Sequence, residues 1–229
     1  MLHGIQGLLQ ERYVDLEDHI KNDLDIELLK RTPSAYLGSC RFKLPDISQD
    51  REIYDKIFDI LNKLEIEYFF YIGGNDSMDT IKKLSDYSLL NGSNIRFMGV
   101  PKTIDNDLAA TDHTPGYGSA AKYIGSITKE VIRDGLVYDQ QNVTILEIMG
   151  RNAGWLTGAA ALAKCEDCEG PDMIFLPEVT FDVDEFMKKV AELHKKKKSV
   201  VVAVSEGVKT ADGRYVCELT DGIDFVDAF

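Results

Sequence analysis

Tyr68-Phe69-Phe70-Tyr71-Ile72-Gly73-Gly74-Asn75-Asp76-Ser77 is the stretch that decides the fold class. Its continuous apolar run reads as a strand buried on both faces, as in a parallel sheet. Two glycines end the run, and a helical pattern follows over 76–90. The same unit recurs outward along the chain. Ile95, Phe97 and Met98 lead into Gly99-Val100-Pro101, and Val143, Ile145, Leu146 and Ile148 lead into Gly150. The run 173–176 precedes Pro177, and 200–204 precedes Ser205-Glu206-Gly207. Between these strands lie amphipathic helical spacings. They are carried by Ile53, Ile57, Ile60, Leu61 and Leu64, by Ile124, Ile127, Thr128 and Val131, and by Phe186, Met187, Val190 and Leu193. The Ala-rich segment 154–164 reads as a further helix. Strand-helix alternation of this kind predicts an α/β fold with crossover helices.

The first 50 residues fit this scheme poorly, being charged and loop-like with no clear buried strand. The last residues, 221–229, stop without an obvious terminal element. Both ends give the expectation of a fragment. Lysine and arginine number 26 against 39 aspartates and glutamates, a net charge of −13. An acidic surface of this size repels nucleic acid and anionic membranes, so neither is an expected partner. No apolar stretch approaches the ~20 residues that span a bilayer, and no signal pattern opens the chain. A soluble cytoplasmic protein is the expectation.

Four cysteines do not make a disulfide scaffold. Cys165-Glu166-Asp167-Cys168 is one C-x-x-C, but no second pair completes a zinc site, and Cys40 and Cys217 stand alone. Reduced intracellular thiols are the reading, rather than a metal or redox site. The run His194-Lys195-Lys196-Lys197-Lys198 reads as a solvated cap on a helix C-terminus.

Polar residues and glycines gather just after the strands, where open α/β sheets bind ligands. In 73–77 the glycines permit a tight turn and close approach, and Ser77 with the following helix offers donors to an anion. Asp76 suits a helix cap equally well, so capped turn and phosphate cradle stand level there. In Pro101-Lys102-Thr103-Ile104-Asp105-Asn106-Asp107, an extended backbone would point Asp105 and Asp107 to one side. That arrangement suits a general base beside a metal-ordering partner, and a surface Asx-turn is the alternative. Thr114-Pro115-Gly116-Tyr117-Gly118-Ser119 opens the longest helix with small residues. Arg151, between a strand and a helix, suits phosphate or hydroxyl binding, or a helix-start ion pair. Trp155, the single tryptophan, reads as core. Four such clusters on successive strand ends point to an anionic small-molecule site.

Taken in order, these segments resemble the phosphofructokinase family. The resemblance rests on Gly73-Gly74-Asn75-Asp76-Ser77, Pro101-Lys102-Thr103-Ile104-Asp105-Asn106-Asp107, Met149-Gly150-Arg151, Ser205-Glu206-Gly207 and, upstream, Leu37-Gly38-Ser39-Cys40-Arg41. It implies two Rossmann-like α/β lobes with mainly parallel sheets, a donor lobe over 1–116 and a sugar-phosphate lobe over 117–229, both incomplete. It implies phosphoryl transfer to the 1-hydroxyl of fructose 6-phosphate in a homo-oligomer, with magnesium (Mg2+) assisting. Asp105 would be the general base, Asp107 its support, Thr103 the holder of the transferred phosphoryl group, and Lys102 a catalytic cation beside the donor. Arg41, Gly74, Asn75, Asp76, Ser77 and Lys102 would bind the donor. Thr103, Asp105, Met149, Gly150, Arg151 and Glu206 would bind the sugar phosphate, and Asn75 and Asp105 would be the metal ligands.

Two positions separate ATP users from pyrophosphate users, and both match the pyrophosphate type here. Asp76 stands where ATP users resemble Gly, adding bulk and charge where an α-phosphate would lie. Lys102 also replaces Gly, adding a cation beside a compact polyanion. Two departures stand out. Asn75 replaces a usual Asp, keeping an oxygen ligand but losing the charge, so metal binding there would be weaker or would shift toward Asp105 and pyrophosphate. Asn142 occupies the place of an arginine that reaches a neighbouring subunit in ATP users. Pro177-Glu178 matches an effector-site position in some ATP-dependent members, and a structural cap is the reading here. The resemblance also implies a preceding Gly-rich strand-turn and a further C-terminal segment, so the 229-residue polypeptide alone is expected to have little activity.

Overall fold

A computed structural model describes residues 1–219. The stretch 221–229, with the tail of the 117–229 lobe, lies outside the described residues. The chain divides into two compact units, Met1–Lys102 and Thr103–Phe229. The loop 103–116 is bonded to itself. The Thr114 hydroxyl donates to the Thr103 carbonyl, and Gly116 packs against Ile104.

The first unit runs through α1 (Gly4–Leu9), a 3-10 turn (Leu16–Asp18), α2 (Asp23–Arg31), α3 (Arg51–Lys63), β1 (Tyr68–Gly73), α4 (Asn75–Leu90) and β2 (Arg96–Pro101). The first 50 residues hold no strand, as their charged pattern predicts. They are nevertheless anchored, because α1 buries Ile5 and Leu8 in the core. The Asp50 carboxylate accepts the Ile53 N–H at 3.2 Å and so starts α3. The apolar spacing of α3 then lays Tyr54, Ile57, Phe58 and Leu61 against Phe69 of β1 and Leu84 and Tyr87 of α4. β1 and β2 are parallel, with Tyr68 opposite Arg96 and Gly73 opposite Pro101.

The second unit runs through α5 (Tyr117–Gly135), β3 (Asn142–Ile148), α6 (Trp155–Gly158), β4 (Met173–Phe175), α7 (Val183–His194), β5 (Ser199–Ser205) and a 3-10 turn (Val216–Glu218). The sheet is parallel in the order β3-β5-β4. The mixed α/β architecture with parallel sheets is the one expected, and the five strands among the described residues fall where the apolar runs lie.

Several expectations need correction. Only β5 is buried almost throughout, whereas β1 alternates and exposes Tyr68, Phe70 and Ile72. β3 likewise exposes Val143 and Ile145. An apolar run marks a strand but does not say how many faces are covered. The Ala-rich segment is only one turn of α-helix, continuing as a 3-10 turn over Ala159–Ala163. Trp155 is 57% exposed, not core. It is the first residue of α6, and Leu156 and Thr157 take the buried positions.

Other sequence readings gain concrete partners. Ser199 Oγ donates to Asn142 Oδ1 at 3.0 Å, so Asn142 ties β3 to β5. Glu178 accepts the Gly154 N–H at 2.7 Å, the structural cap expected of it. In the basic run, Lys197 pairs with Asp172 and Lys198 with Asp139, fixing the entry to β5. Among the described residues no helix is long and apolar enough to cross a membrane.

Candidate active site

Strand register assembles the first group of candidate residues. Gly73 lies opposite Pro101, and the Lys102 N–H donates to the Gly73 carbonyl at 2.9 Å. Lys102 therefore leaves the sheet beside the 73–77 turn. Gly74 is the N-cap of α4, and no side chain caps that helix. Asp76 sits inside the first turn instead, so the capping reading of the sequence does not hold. The positive end of α4 is thus presented by backbone amides near Gly74, Asn75 and Asp76, the Ser77 N–H donating to the Gly74 carbonyl at 3.0 Å, with the exposed Lys102 alongside.

Tyr71, which the sequence reading passed over except as an apolar strand residue, joins the upstream segment to this turn. Its hydroxyl hydrogen-bonds with Cys40 and with Ser77. Burial, reinforced by Cys40, pushes that hydroxyl above the ordinary tyrosine range. Cys40 therefore meets the turn through Tyr71, and Arg41, exposed, is its chain neighbour. The signal in the sequence was weak, because a tyrosine inside an apolar strand reads as packing.

A second group lies in the loop that opens the second unit. The loop is not extended. Ile104 and Asp105 form a turn, and Asn106 is left-handed at φ 61°. The expectation that Asp105 and Asp107 share a side by strand alternation therefore fails, because alternation requires extended backbone. Asp105 is half-buried and Asp107 exposed. Asn106 is the pin: its Oδ1 accepts the Thr114 N–H at 2.8 Å, and its Nδ2 donates to the Asp112 carbonyl at 3.2 Å. The Asp105 N–H donates to Thr103 Oγ1 at 3.1 Å. Thr103 and Asp105 are thereby held close, as an Asx-type turn and a reactive loop alike require. Sequence inspection did not single out Asn106, whose role depends on a contact eight residues away.

The third group is built by β3 on β5. Ile148 lies opposite Ser205, so residues 149–151 and 206–207 leave the sheet together. The Gly150 N–H donates to Glu206 Oε1 at 3.3 Å, and Ser205 Oγ donates to the Gly150 carbonyl at 2.8 Å. Gly150 has φ 122°, a conformation that L side chains rarely adopt. A Cβ on Gly207 would stand 2.0 Å from the Arg151 carbonyl oxygen, so only glycine permits this approach. Met149 and Arg151 are exposed.

No group of three or more His, Cys, Asp or Glu side chains gathers as a metal site among the described residues. A cavity of about 780 Å³ lies elsewhere, at the amino ends of β1 and β2. Asp55, Asp59, Glu65 and Glu67 line it, the wrong charge for a phosphate.

Comparison with known proteins follows the same lines. A family model described as "Phosphofructokinase" matches residues 1–225. A pyrophosphate–fructose 6-phosphate 1-phosphotransferase of Rhodospirillum rubrum is 43% identical over 93% of this chain and 50% of its own length. One from Xanthomonas campestris pv. campestris is 40% identical over 97% of this chain and 53% of its own. The crystal structure of a pyrophosphate-dependent phosphofructokinase from Nitrosospira multiformis superposes with a TM-score of 0.79 at 41% identity, covering 93% of this chain and 52% of that one. The chain thus spans about half the length of the curated relatives it matches.

Proposed function

Since this chain belongs to the phosphofructokinase family, we propose that it provides most of the active site of a pyrophosphate-dependent enzyme. The reaction transfers a phosphoryl group from pyrophosphate to the 1-hydroxyl of fructose 6-phosphate. It yields fructose 1,6-bisphosphate and phosphate, and it runs in both directions. The observation that carries the reading is the β1–β2 register, which sets Lys102 beside an uncapped helix N-terminus. A cation and the amides of a helix N-terminus at one strand end suit a compact polyanion. Asp76 in the first turn of α4 adds negative charge and bulk, which disfavours the longer polyphosphate of a nucleotide.

Gly74, Asn75, Asp76, Ser77 and Lys102 bind pyrophosphate, with Arg41 meeting it from the upstream segment. Asp105 takes the proton from the sugar 1-hydroxyl as that oxygen attacks phosphorus. Asp107 supports that charge shift, and Thr103, bonded to the Asp105 amide, holds the transferred group. Met149, Gly150 and Arg151 hold the sugar phosphate. Glu206, already on the Gly150 amide, offers its remaining acceptor capacity to sugar hydroxyls. Asp105 and the Asn75 side-chain oxygen would hold Mg2+, which supplies charge neutralisation on the phosphoryl oxygens. Catalysis of this kind is mainly positioning and electrostatics. The setting is a cytoplasmic homo-oligomer acting in sugar-phosphate metabolism, with no nucleic-acid or membrane partner.

Coupled assays of the full-length protein with each donor test the reading. Turnover with pyrophosphate and little with ATP is expected. Robust turnover with ATP and none with pyrophosphate would overturn it. Under the charge argument, the double variant Asp76→Gly, Lys102→Gly shifts preference toward ATP.

A further inference from the structure

The C-x-x-C motif has no part in the reaction above, yet its geometry is specific. Cys165 and Cys168 face each other across an antiparallel bridge closed by two backbone bonds. The Cys165 N–H donates to the Cys168 carbonyl at 2.9 Å, and the Cys168 N–H to the Cys165 carbonyl at 3.2 Å. A pair that exchanges both bonds has Cα atoms about 5.5 Å apart, inside the range of roughly 4.4–6.8 Å that a disulfide spans. Both thiols are free.

The two cysteines are also differentiated. Cys165 is exposed and Cys168 is buried. Lys129 of α5 donates to Cys165 Sγ at 3.0 Å, and the Cys165 thiol donates to Asp167 Oδ1 at 3.0 Å. Asp167 opposes an anionic sulfur, but it is itself engaged by Lys129 at 2.8 Å and by Arg133. The Lys129 ammonium is the cation in direct contact with the Cys165 sulfur. An exposed sulfur beside a cation, next to a buried partner thiol, is the arrangement of an attacking and a resolving cysteine.

We propose that Cys165-Glu166-Asp167-Cys168 is a redox-exchange site that closes to an internal disulfide by reaction with a low-molecular-weight disulfide such as oxidised glutathione. Cys165 gives its proton to water, and its thiolate attacks one sulfur of the reagent. The reagent's S–S bond breaks, and one thiolate leaves and is protonated. Cys168 then loses its proton and attacks Sγ of Cys165. The Cys165–Cys168 bond forms, and the second reagent thiolate leaves and is protonated. Two protein thiols are oxidised by two electrons, and one reagent disulfide becomes two thiols. Hydrogen-bonded strand pairs hold Cβ atoms farther apart than an ideal disulfide. The closed form is therefore strained and more easily reduced than a structural disulfide, which suits a reversible site. The dithiol is the resting form in a reducing compartment; the sequence reading gave reduced thiols but no redox role, and the exchange function goes beyond it.

The test is to incubate the intact protein with oxidised glutathione and map its cysteines by mass spectrometry. Wild type should lose two hydrogens on the 165–168 peptide and regain them with a dithiol reductant. Cys168→Ser should instead trap one glutathione on Cys165. Lys129→Gln should slow the first step about threefold or more, and Lys129→Arg should restore much of it. Failure to form either the internal disulfide or the trapped adduct, while Cys40 or Cys217 reacts, would overturn the proposal. Equal slowing in Lys129→Gln and Lys129→Arg would overturn the assigned role of the lysine charge. Circular dichroism of each variant separates a slow reaction from a misfolded chain.

Discussion

At the scale of single residues, the proposed chemistry converges on Asp105 and the support beneath the sugar-phosphate segment. Asp105→Asn in the full-length enzyme removes the proton acceptor while keeping shape. The expected result is a fall in kcat of about 10²–10⁴-fold with KM for fructose 6-phosphate little changed, read from steady-state kinetics. A KM effect without a kcat effect would move Asp105 from catalysis to binding. Gly207→Ala acts on the other side. Its Cβ would collide with the Arg151 carbonyl oxygen at 2.0 Å, so residues 149–151 must shift. A displacement near one ångström costs on the order of 10²-fold in kcat/KM, and the same kinetics check it. The sequence named Asp105 and Arg151 because their residue types announce chemistry, and Glu206 only through the family resemblance. It passed over the structural roles of Asn106 and Tyr71, because what they do depends on partners distant in sequence.

At the scale of elements, the first unit depends on α3 and α4 packing against β1. Leu84 is fully buried among Tyr54, Ile57 and Phe58. Leu84→Ala leaves a cavity and should destabilise the unit by about 2–5 kcal/mol, measured by denaturant unfolding. The turn beside α5 answers to pH. Hydrogen bonds from Lys129 first, then Cys165, with the Arg133 charge, hold Asp167 well below the usual carboxylate range. Its contribution is complete above the ordinary aspartate value near ~4 and is lost as pH falls through the depressed folded value. The same pairing with Asp167, then Cys165, raises Lys129. That share is complete below the ordinary lysine value near ~10.4 and is lost as pH rises through the folded value. Carboxyl chemical shifts followed by NMR should show Asp167 titrating below the other aspartates. A titration at the ordinary value would dismiss the pairing. Apolar runs made every strand legible, but the same pattern could not separate a regular helix from the one turn plus 3-10 segment at 155–163. Alanine suits both, and the Glu178 cap that positions the start comes from elsewhere in the chain.

At the scale of the whole molecule, the net charge of −13 coexists with apolar sheet faces. Tyr68, Phe70 and Ile72 of β1 and Met98 and Val100 of β2 stand exposed. Exposed contiguous apolar surface binds hydrophobic dyes. The protein should therefore bind such a dye in its native state, and Phe70→Asp with Ile72→Asp should reduce that fluorescence with little loss of secondary structure. Undiminished fluorescence would mean that the dye sits elsewhere. The sequence by itself determined the α/β class, the positions of all five strands, the motifs after them and, through those motifs, the family. These properties are local: an apolar run, a glycine pair and a short polar string carry their meaning in neighbouring residues. Only the tertiary structure decided which face of β1 is covered, that Asp76 is not a cap and that Trp155 lies at the surface. It also set Lys102 beside Gly74 and residues 149–151 beside Glu206. Those outcomes depend on strand register and on hydrogen bonds between distant segments, and a pattern with a period of a few residues carries no record of either.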